Sequence, residues 1–171
     1  FGTDNNNLYL IYDDTSIAPG FPFQSNGKIQ VSPIVMDGAM GNMIYTGSND
    51  STFYAINDNG TLHFSILVNN KIQTSPSILN YSGINYVFFG SNEMIYAIDT
   101  DGNALLNWPI STNGSITSSI VFSDINGDNI PEVIVATDVG TISIFDIDGN
   151  IYKNFPINNN FAFSGSPMSV D

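Results

Sequence analysis

Nine residues, from Asp124 to Glu132, concentrate groups that could bind a metal ion. The segment reads Asp-Ile-Asn-Gly-Asp-Asn-Ile-Pro-Glu, with oxygen-bearing side chains at its first, third, fifth and ninth positions. A tight loop turns alternate residues inward, so these oxygens and the main-chain carbonyl at the seventh position can converge on one hard cation. Calcium binds about six to eight such oxygens. The predicted calcium ligands are Asp124, Asn126, Asp128, Ile130 and Glu132.

Electrostatics favours a cation in this loop, although a second interpretation is open. Three ionised carboxylates in one short loop repel each other unless a positive charge neutralises them. The alternative is a polar hairpin loop whose carboxylates are simply solvated. The corresponding loops at 37–42 and 80–83 contain too few oxygen groups for a second complete site. Asp171 stands at the position where another such loop would begin.

Other reactive side chains lack the partners that catalysis requires. The single histidine, His63, is predicted to be an exposed or half-buried strand residue, because a metal site or a catalytic triad needs further groups. The chain contains no cysteine, so it has neither a disulfide nor a thiol nucleophile. No pair of carboxylates stands out as a general acid and base. The sequence therefore predicts no catalytic residue within this chain.

The elements that position these residues belong to a repeat. Lys-Ile-Gln-Val-Ser-Pro at 28–33 returns 43 residues later as Lys-Ile-Gln-Thr-Ser-Pro at 71–76. A third copy occupies 115–119, and a fourth, Ser-Gly-Ser-Pro, occupies 164–167. Self-similarity at this period indicates stacked supersecondary units. The residues that the spacing makes equivalent at the first strand are Ser32, Ser75 and Ser118.

Each repeat shows the pattern of strands and turns. Short alternating apolar runs are separated by clusters of Gly, Asn and Asp, and no window of about eleven residues keeps a helical apolar period. The second complete repeat predicts strands at 75–79, 84–89, 94–98 and 104–108. Its aromatic-proline pair, Trp108-Pro109, is predicted to end the fourth strand, since an outer edge tolerates proline.

Four antiparallel strands in a unit of about 43 residues predict the blade of a β-propeller. A β-sandwich has similar strand spacing, but its strands need not recur in groups of four with the same turn chemistry. We therefore predict an all-β fold, a β-propeller of four-stranded antiparallel blades in one region, 1–171. Both ends of the sequence fall inside a repeat, which favours a partial propeller with three complete blades and two partial ones. The predicted units are 1–28 (partial), 29–70, 71–114, 115–160 and 161–171 (partial).

Several motifs together carry a family resemblance. They are Gly-Ser-Asn at 47–49 and 90–92, Tyr-Ala-Ile-Asp at 96–99, Asp-Gly-Asn at 101–103 and 148–150, and the aromatic-proline pairs. With the aspartate loop, they resemble the FG-GAP or VCBS repeat proteins, secreted propellers related to the integrin α head. The segment 96–103 and Trp108 are also similar to propeller repeats of the pyrroloquinoline quinone dehydrogenases.

The first resemblance implies that the aspartate loop binds calcium through the five residues named above. Where the family usually has Gly this chain has Asn129, a residue that tolerates a left-handed φ. An EF-hand loop starts with similar spacing, but its bidentate Glu at the twelfth position is Val135 here. The second resemblance implies blade geometry and not quinone chemistry, because one repeat alone keeps the Trp.

Composition excludes two classes of partner. The chain has 16 acidic residues against three lysines and no arginine, for a net charge of −13. Such a surface repels phosphate backbones and lacks the Arg forks that recognise them, so nucleic acid is excluded. No apolar run approaches about 18 residues, so membrane insertion is not expected. Glycosylation sequons, all in predicted turns, occur at Asn49, Asn59, Asn80 and Asn113.

Together these observations predict a noncatalytic propeller module, secreted or at the cell surface, that serves adhesion, ligand binding or surface assembly. Its partners would be an extracellular protein or glycan, or neighbouring blades and subunits, with calcium stiffening one loop. One alternative is the propeller part of a secreted enzyme, a polysaccharide lyase or a quinone-dependent dehydrogenase, whose active residues lie outside this chain. Another alternative is a structural subunit of an extracellular filament.

Overall fold

The computed structural model describes residues 1–38, 41–163 and 165–168. Within these residues the chain is all-β, with fourteen strands and no helix, as the repeat pattern predicts. The described segments accordingly include no helix with the length and hydropathy to cross a membrane. The chain divides into two compact units, Phe1–Pro76 and Ser77–Asp171.

The first unit contains a two-stranded and a four-stranded antiparallel sheet. Its strands are β1 (Asn7–Leu8), β2 (Phe23–Gln24), β3 (Ile34–Gly38), β4 (Gly41–Gly47), β5 (Thr52–Asn57) and β6 (Leu62–Leu67). The small sheet pairs β1 with β2, and the larger sheet has the order β3-β4-β5-β6. Four buried side chains of the two sheets, Leu8, Ile44, Tyr54 and Ile56, form one apolar cluster with Ile29, which lies between β2 and β3.

The second unit contains two four-stranded antiparallel sheets. Its strands are β7 (Ser77–Tyr81), β8 (Ile84–Ser91), β9 (Met94–Asp99), β10 (Ile110–Ser111), β11 (Val121–Ser123), β12 (Glu132–Ala136), β13 (Thr141–Phe145) and β14 (Ile157–Asn158). The orders are β7-β8-β9-β10 and β11-β12-β13-β14, so each sheet is a meander in chain order. Phe88, Trp108 and Phe145 belong to the core of this unit, and the rings of Phe88 and Trp108 meet edge to face at 5.2 Å.

A recurring hydrogen bond fixes where each repeat begins. The first residue of each linking segment donates its N–H to a main-chain carbonyl, and in the last three cases this carbonyl lies directly after a second strand. The donor and acceptor pairs are Ile29 and Thr3, Ile72 and Ser48, Ile116 and Asn92, and Phe163 and Thr137. The repeats are therefore defined by contacts as well as by sequence.

These contacts correct the predicted register of the third repeat. First strands begin at Ile34, Ser77 and Val121, each five residues after the corresponding linking residue. Ser32 and Ser75 lie two residues before their strands, and the residue that matches them is Ser119. The prediction of Ser118 was wrong by one residue. Ser118 and Ser119 are adjacent and fit the repeated motif equally well, whereas the hydrogen bond of the Ile116 N–H fixes the register in the structure.

The fourth strand predicted at 104–108 is also corrected. Ala104 forms an isolated bridge to the third strand, a turn follows, and β10 begins only at Ile110. Regular pairing is interrupted because Trp108 turns into the core, where it is 6% exposed, and Pro109 has no N–H for the ladder. The aromatic-proline pair therefore precedes the outer strand and does not end it. The predicted strand at 75–79 likewise begins later, at Ser77.

The fourth strand β6 differs from those of the other repeats. Aromatic-proline pairs with cis peptide bonds precede β2, β10 and β14, which have two residues each. β6 has six residues, and it is continuous apart from one register shift against β5. Six positions separate Gly60 from Ile66, whereas eight separate Gly102 from Ile110. The repeat with β6 thus lacks the two residues that form the turn elsewhere.

Candidate metal centre

The aspartate loop is the connection of a β-hairpin. It follows β11 and precedes β12, and Ser123 pairs with Glu132 across its base. Gly127 and Asn129 have positive φ values of 78° and 65°. The left-handed conformation expected of Asn129 is therefore confirmed, and so is the strand-loop-strand context of the predicted calcium ligands.

Asp124 organises the loop through its carboxylate. One oxygen accepts hydrogen bonds from the N–H groups of Gly127 at 2.7 Å and Asp128 at 3.1 Å, and the other accepts from Asn129 N–H at 2.7 Å. Loss of hydration acts to raise the pKa of Asp124, but backbone hydrogen bonds from Asn129, Gly127, Asp128 and Asn126 outweigh it and lower that pKa. The side chain is therefore an anion at neutral pH.

The side-chain amide of Asn126 lies between two other carboxylates. Its Nδ2 donates to Asp128 Oδ2 and to Glu132 Oε1, both at 3.0 Å. Its Oδ1 accepts the N–H of Asp128 at 2.8 Å, and Asp128 Oδ1 accepts the N–H of Ile130 at 2.8 Å. The loop thus brings together the side chains of Asn126, Asp128 and Glu132, and joins Ile130 to them through its backbone.

Glu132 is the buried member of the predicted set. It is 2% exposed at the start of β12, and its second oxygen accepts the N–H of Ile125 at 2.8 Å. Both groups that contact this carboxylate, Ile125 N–H and the Asn126 amide, are uncharged. A buried carboxylate without a compensating charge is costly. The position is therefore one that a nearby cation would stabilise.

The chemistry of the donors suits calcium, but the acidic side chains are not gathered around one point. All five predicted ligands present oxygen, the atom that calcium prefers. Among the described residues, however, no three Asp, Glu, His or Cys side chains form a group that could hold a metal ion. A calcium ion here would need the amide oxygen of Asn126 and the carbonyl of Ile130 in addition to carboxylates. The assignment stays a prediction.

Other predicted positions are placed as follows. His63 is exposed on β6, with its ring 5.6 Å from that of Phe64, which agrees with the predicted exposed or half-buried strand residue. Asp37 lies on β3 and pairs with Asn42. Asp171 lies outside the described residues, as does Ser164 of the fourth repeated motif.

One sequon departs from its prediction. Asn80 lies within β7 and not in a turn, and its side-chain Nδ2 donates to Asn85 Oδ1 across the hairpin at 2.7 Å. Asn49, Asn59 and Asn113 do lie in turns or bends. β7 continues to Tyr81, so it extends further towards the hairpin turn than the Asn-Tyr-Ser-Gly sequence suggests.

One carboxylate that the sequence did not single out, that of Asp50, links two segments of the first unit. Asp50 Oδ2 accepts the N–H of Asn26 at 2.9 Å and the hydroxyl of Tyr54 at 2.7 Å. Burial, followed by the hydrogen bond to Asp50, raises the pKa of Tyr54 to about 12. In the second unit Asp138 Oδ1 accepts the N–H of Ser115 at 2.8 Å. The signal in the sequence was an aspartate two or three residues after the second strand in both repeats.

Two open cavities lie in the first unit. One has a volume of about 720 Å³ and is lined by residues that include Asp4, Tyr9 and Gln30. The other has about 410 Å³ and includes Tyr12 and Asp58. Each is lined by a single carboxylate, so neither presents the pair of acidic groups that acid-base hydrolysis uses.

No family model matches this sequence, and no curated protein matches it. Solved structures do match. BamB from Moraxella catarrhalis has a TM-score of 0.69 at 16% identity, over 99% of this chain and 49% of that chain. BBS1N in complex with ARL6DN has a TM-score of 0.61 at 16% identity, over 92% of this chain and 50% of that chain. The computationally designed Ika8 protein has a TM-score of 0.72 at 13% identity, over 99% of this chain and 49% of that chain.

These likenesses identify the fold. BamB and BBS1N are β-propellers, and the four-stranded antiparallel sheets of this chain match their architecture over nearly its whole length. The chain spans about half the length of these structures. The prediction of a partial β-propeller with four-stranded blades is thereby confirmed. The narrower FG-GAP and quinone-dehydrogenase resemblances stay predictions.

Proposed function

We propose that this chain is a noncatalytic, secreted or cell-surface propeller module, of FG-GAP type, that binds a protein or glycan and holds calcium in its 124–132 loop. The observation that carries the proposal is the Glu132 carboxylate, which is 2% exposed and contacts two uncharged donors. A divalent cation would supply the missing positive charge and would stiffen the loop around it.

The rest of the loop supports the same ion. The pKa of Asp124 is lowered, so this carboxylate is charged at neutral pH. Asp128 adds a further oxygen-bearing side chain, and a turn of the Asn126 side chain would replace its N–H donor by the amide oxygen. Ligands held in this way by a short exposed loop suit the weak affinity of extracellular modules, a Kd of about 10⁻⁴ to 10⁻³ M.

Two further observations support a binding role. The solved propeller BBS1N is in complex with ARL6DN, which gives a precedent for a protein partner on this fold. The net charge of −13 keeps copies soluble and favours ligands that are neutral or basic. Calcium at the concentrations found outside cells would fill a site of this affinity by mass action.

Calcium titration tests the metal. Isothermal titration of the wild-type chain with CaCl₂ should show one site, and calcium should raise the melting temperature. Asp128→Ala removes one carboxylate and its bond to Asn126, so it should abolish both effects. Asp148→Ala is the matched control, since it removes one exposed carboxylate from another turn of the same unit. Absence of calcium uptake by the wild type would sink the calcium assignment.

A binding screen tests the module. The chain should retain a subset of glycans or extracellular matrix proteins immobilised on an array, and a calcium chelator should weaken this retention if the loop contributes to the surface. If the chelator leaves the retention of these ligands unchanged, the chain binds them without the help of calcium in the 124–132 loop. An array without any retained ligand would count against the binding role itself.

A further inference from the structure

The outer edge of β6 is open to pairing with another strand. β6 is the last strand in the order β3-β4-β5-β6, and no other strand of the described residues pairs with its outer side. Its side chains alternate between half-buried and exposed from Phe64 to Leu67, and Leu67 is 78% exposed. An open edge presents unpaired N–H and C=O groups that fit an extended backbone.

The register identifies which backbone groups face outward. Val68 N–H donates to the Ser51 carbonyl, so this position is hydrogen-bonded to β5. Hydrogen-bonded and non-hydrogen-bonded pairs alternate along an antiparallel ladder. Phe64 and Ile66 therefore bond inward, and Ser65 and Leu67, opposite Tyr54 and Thr52, direct their N–H and C=O groups to the free edge.

Three features that usually protect an edge strand are missing from β6, although its register shifts once against β5. Short length, proline and charged side chains are the usual protection. The fourth strands β2, β10 and β14 have two residues each and follow a proline, whereas β6 has six residues and contains no proline. From Asn59 to Asn70 there is no Asp or Glu, although the chain has 16 acidic residues.

We propose that this edge is an interface at which two copies of the chain pair through β6. Two antiparallel copies related by a two-fold axis present identical, self-complementary rows of donors and acceptors. A pairing centred on Ser65 places that residue opposite its copy and continues the four-stranded sheet into an eight-stranded one. The carboxylate-free edge is the surface at which two copies of net charge −13 approach with least opposing charge.

The dimer is weak and depends on salt. Centred on Ser65, the two strands pair over residues 63–67, a length of about 17 Å, and this contact is small because a stable interface buries ~1,200 Å² or more. Repulsion between the two acidic copies opposes it, and salt shortens the range of that repulsion from about 10 Å at 0.1 M to about 3 Å at 1 M. The association therefore strengthens as NaCl rises, which is opposite to pairing through charge attraction.

Sedimentation of the whole 171-residue chain over a concentration series, at low and high NaCl, tests the proposal. The expected result is a monomer-dimer equilibrium that shifts to dimer in high salt. Ser65→Glu places two like charges opposite each other across the axis and should abolish the dimer. Ser111→Glu is the matched control, because it adds the same charge to an exposed serine of the short strand β10 and should leave the dimer intact.

Amide hydrogen exchange locates the contact. The N–H groups of Ser65 and Leu67 should exchange more slowly as concentration rises, whereas those of Phe64 and Ile66 are already protected by β5. Leu67→Glu serves as a second edge variant if Ser65→Glu fails to fold. A wild type that stays monomeric in high salt overturns the proposal, as does a dimer that survives both edge variants. A third result would also overturn the proposal: the chain stays monomeric, and an added strand-forming peptide slows hydrogen exchange of the Ser65 N–H. The edge would then bind a strand of another protein and not a second copy.

Discussion

Gly47 lies against the side chain of Ile72, at the point where one repeat passes to the next. A Cβ atom placed on Gly47 would fall 2.2 Å from Cγ2 and 2.7 Å from Cβ of Ile72. Gly2 has the same relationship with Ile29, also at 2.2 Å. The corresponding residues in the last repeat are Ala136 and Phe163. Gly2 and Gly47 are therefore required by packing and not by a turn.

Gly47→Ala should destabilise the first unit by about 1 to 3 kcal/mol, the usual cost of overpacking a core. Ile72→Ala removes Cγ2, the nearest opposing atom, so the double variant should be more stable than the sum of the two single losses predicts. Urea denaturation of the four proteins measures the coupling. Gly165→Ala, where an added Cβ meets nothing within 4 Å, is the control and should be neutral. Additive losses would contradict the packing argument.

Tyr54→Phe should lower the free energy of unfolding by about 1.5 to 3 kcal/mol, because it removes a hydrogen bond to the charged Asp50. Tyr96→Phe is the control, since burial alone raises the pKa of Tyr96. The folded pKa of Tyr54, about 12, is above its ordinary value of 10.0, so its contribution is complete below pH 10 and is lost as pH rises towards 12. Equal losses in the two variants, or equal alkaline sensitivity, would refute the role of Asp50.

Trp108→Phe should cost about 1 to 3 kcal/mol, because the carbonyl of Ile147 loses the indole N–H that donates to it at 3.1 Å. Trp108→Ala should cost about 3 to 5 kcal/mol, since the edge-to-face contact with Phe88 is lost as well. Leu106→Ala, at a side chain that is 82% exposed, should change stability by less than about 0.5 kcal/mol. Thermal unfolding, followed by a circular dichroism signal that does not depend on tryptophan, compares the stabilities of the three variants. A neutral Trp108→Phe would show that the hydrogen bond contributes nothing.

The Asp124 carboxyl should titrate below its ordinary pKa of 3.8. A folded pKa below the unfolded value means that the contribution of Asp124 is present above pH 3.8 and is lost as pH falls through the folded pKa. Asp124→Asn should therefore be less stable than wild type at neutral pH and should approach it in acid. Carboxyl carbon shifts followed by NMR give the pKa directly. A midpoint at or above 3.8 would show that the backbone hydrogen bonds do not hold the anion.

Much of the fold follows from local pattern. The alternation at 84–89 and 94–98 and the Ser-Asn-Glu turn at 91–93 predict an antiparallel hairpin, and β8 and β9 form it. Both signals act within a few residues, because strand alternation has period two and Asn92 takes the positive φ of 53° that the turn needs. The five loop residues were placed in one hairpin loop for the same reason.

The tertiary structure decided what depends on residues distant in sequence. Trp108 leaves the edge of its sheet because its indole binds a carbonyl 39 positions away, and that partner is invisible to any local window. The third repeat takes its register from the bond between Ile116 and Asn92, which selects Ser119 over an identical neighbour. Glu132 pairs with Ser123 at the base of the hairpin, and its side chain is buried there. The spacing of oxygen-bearing residues in the sequence does not reveal this burial, which is the feature that favours a cation nearby.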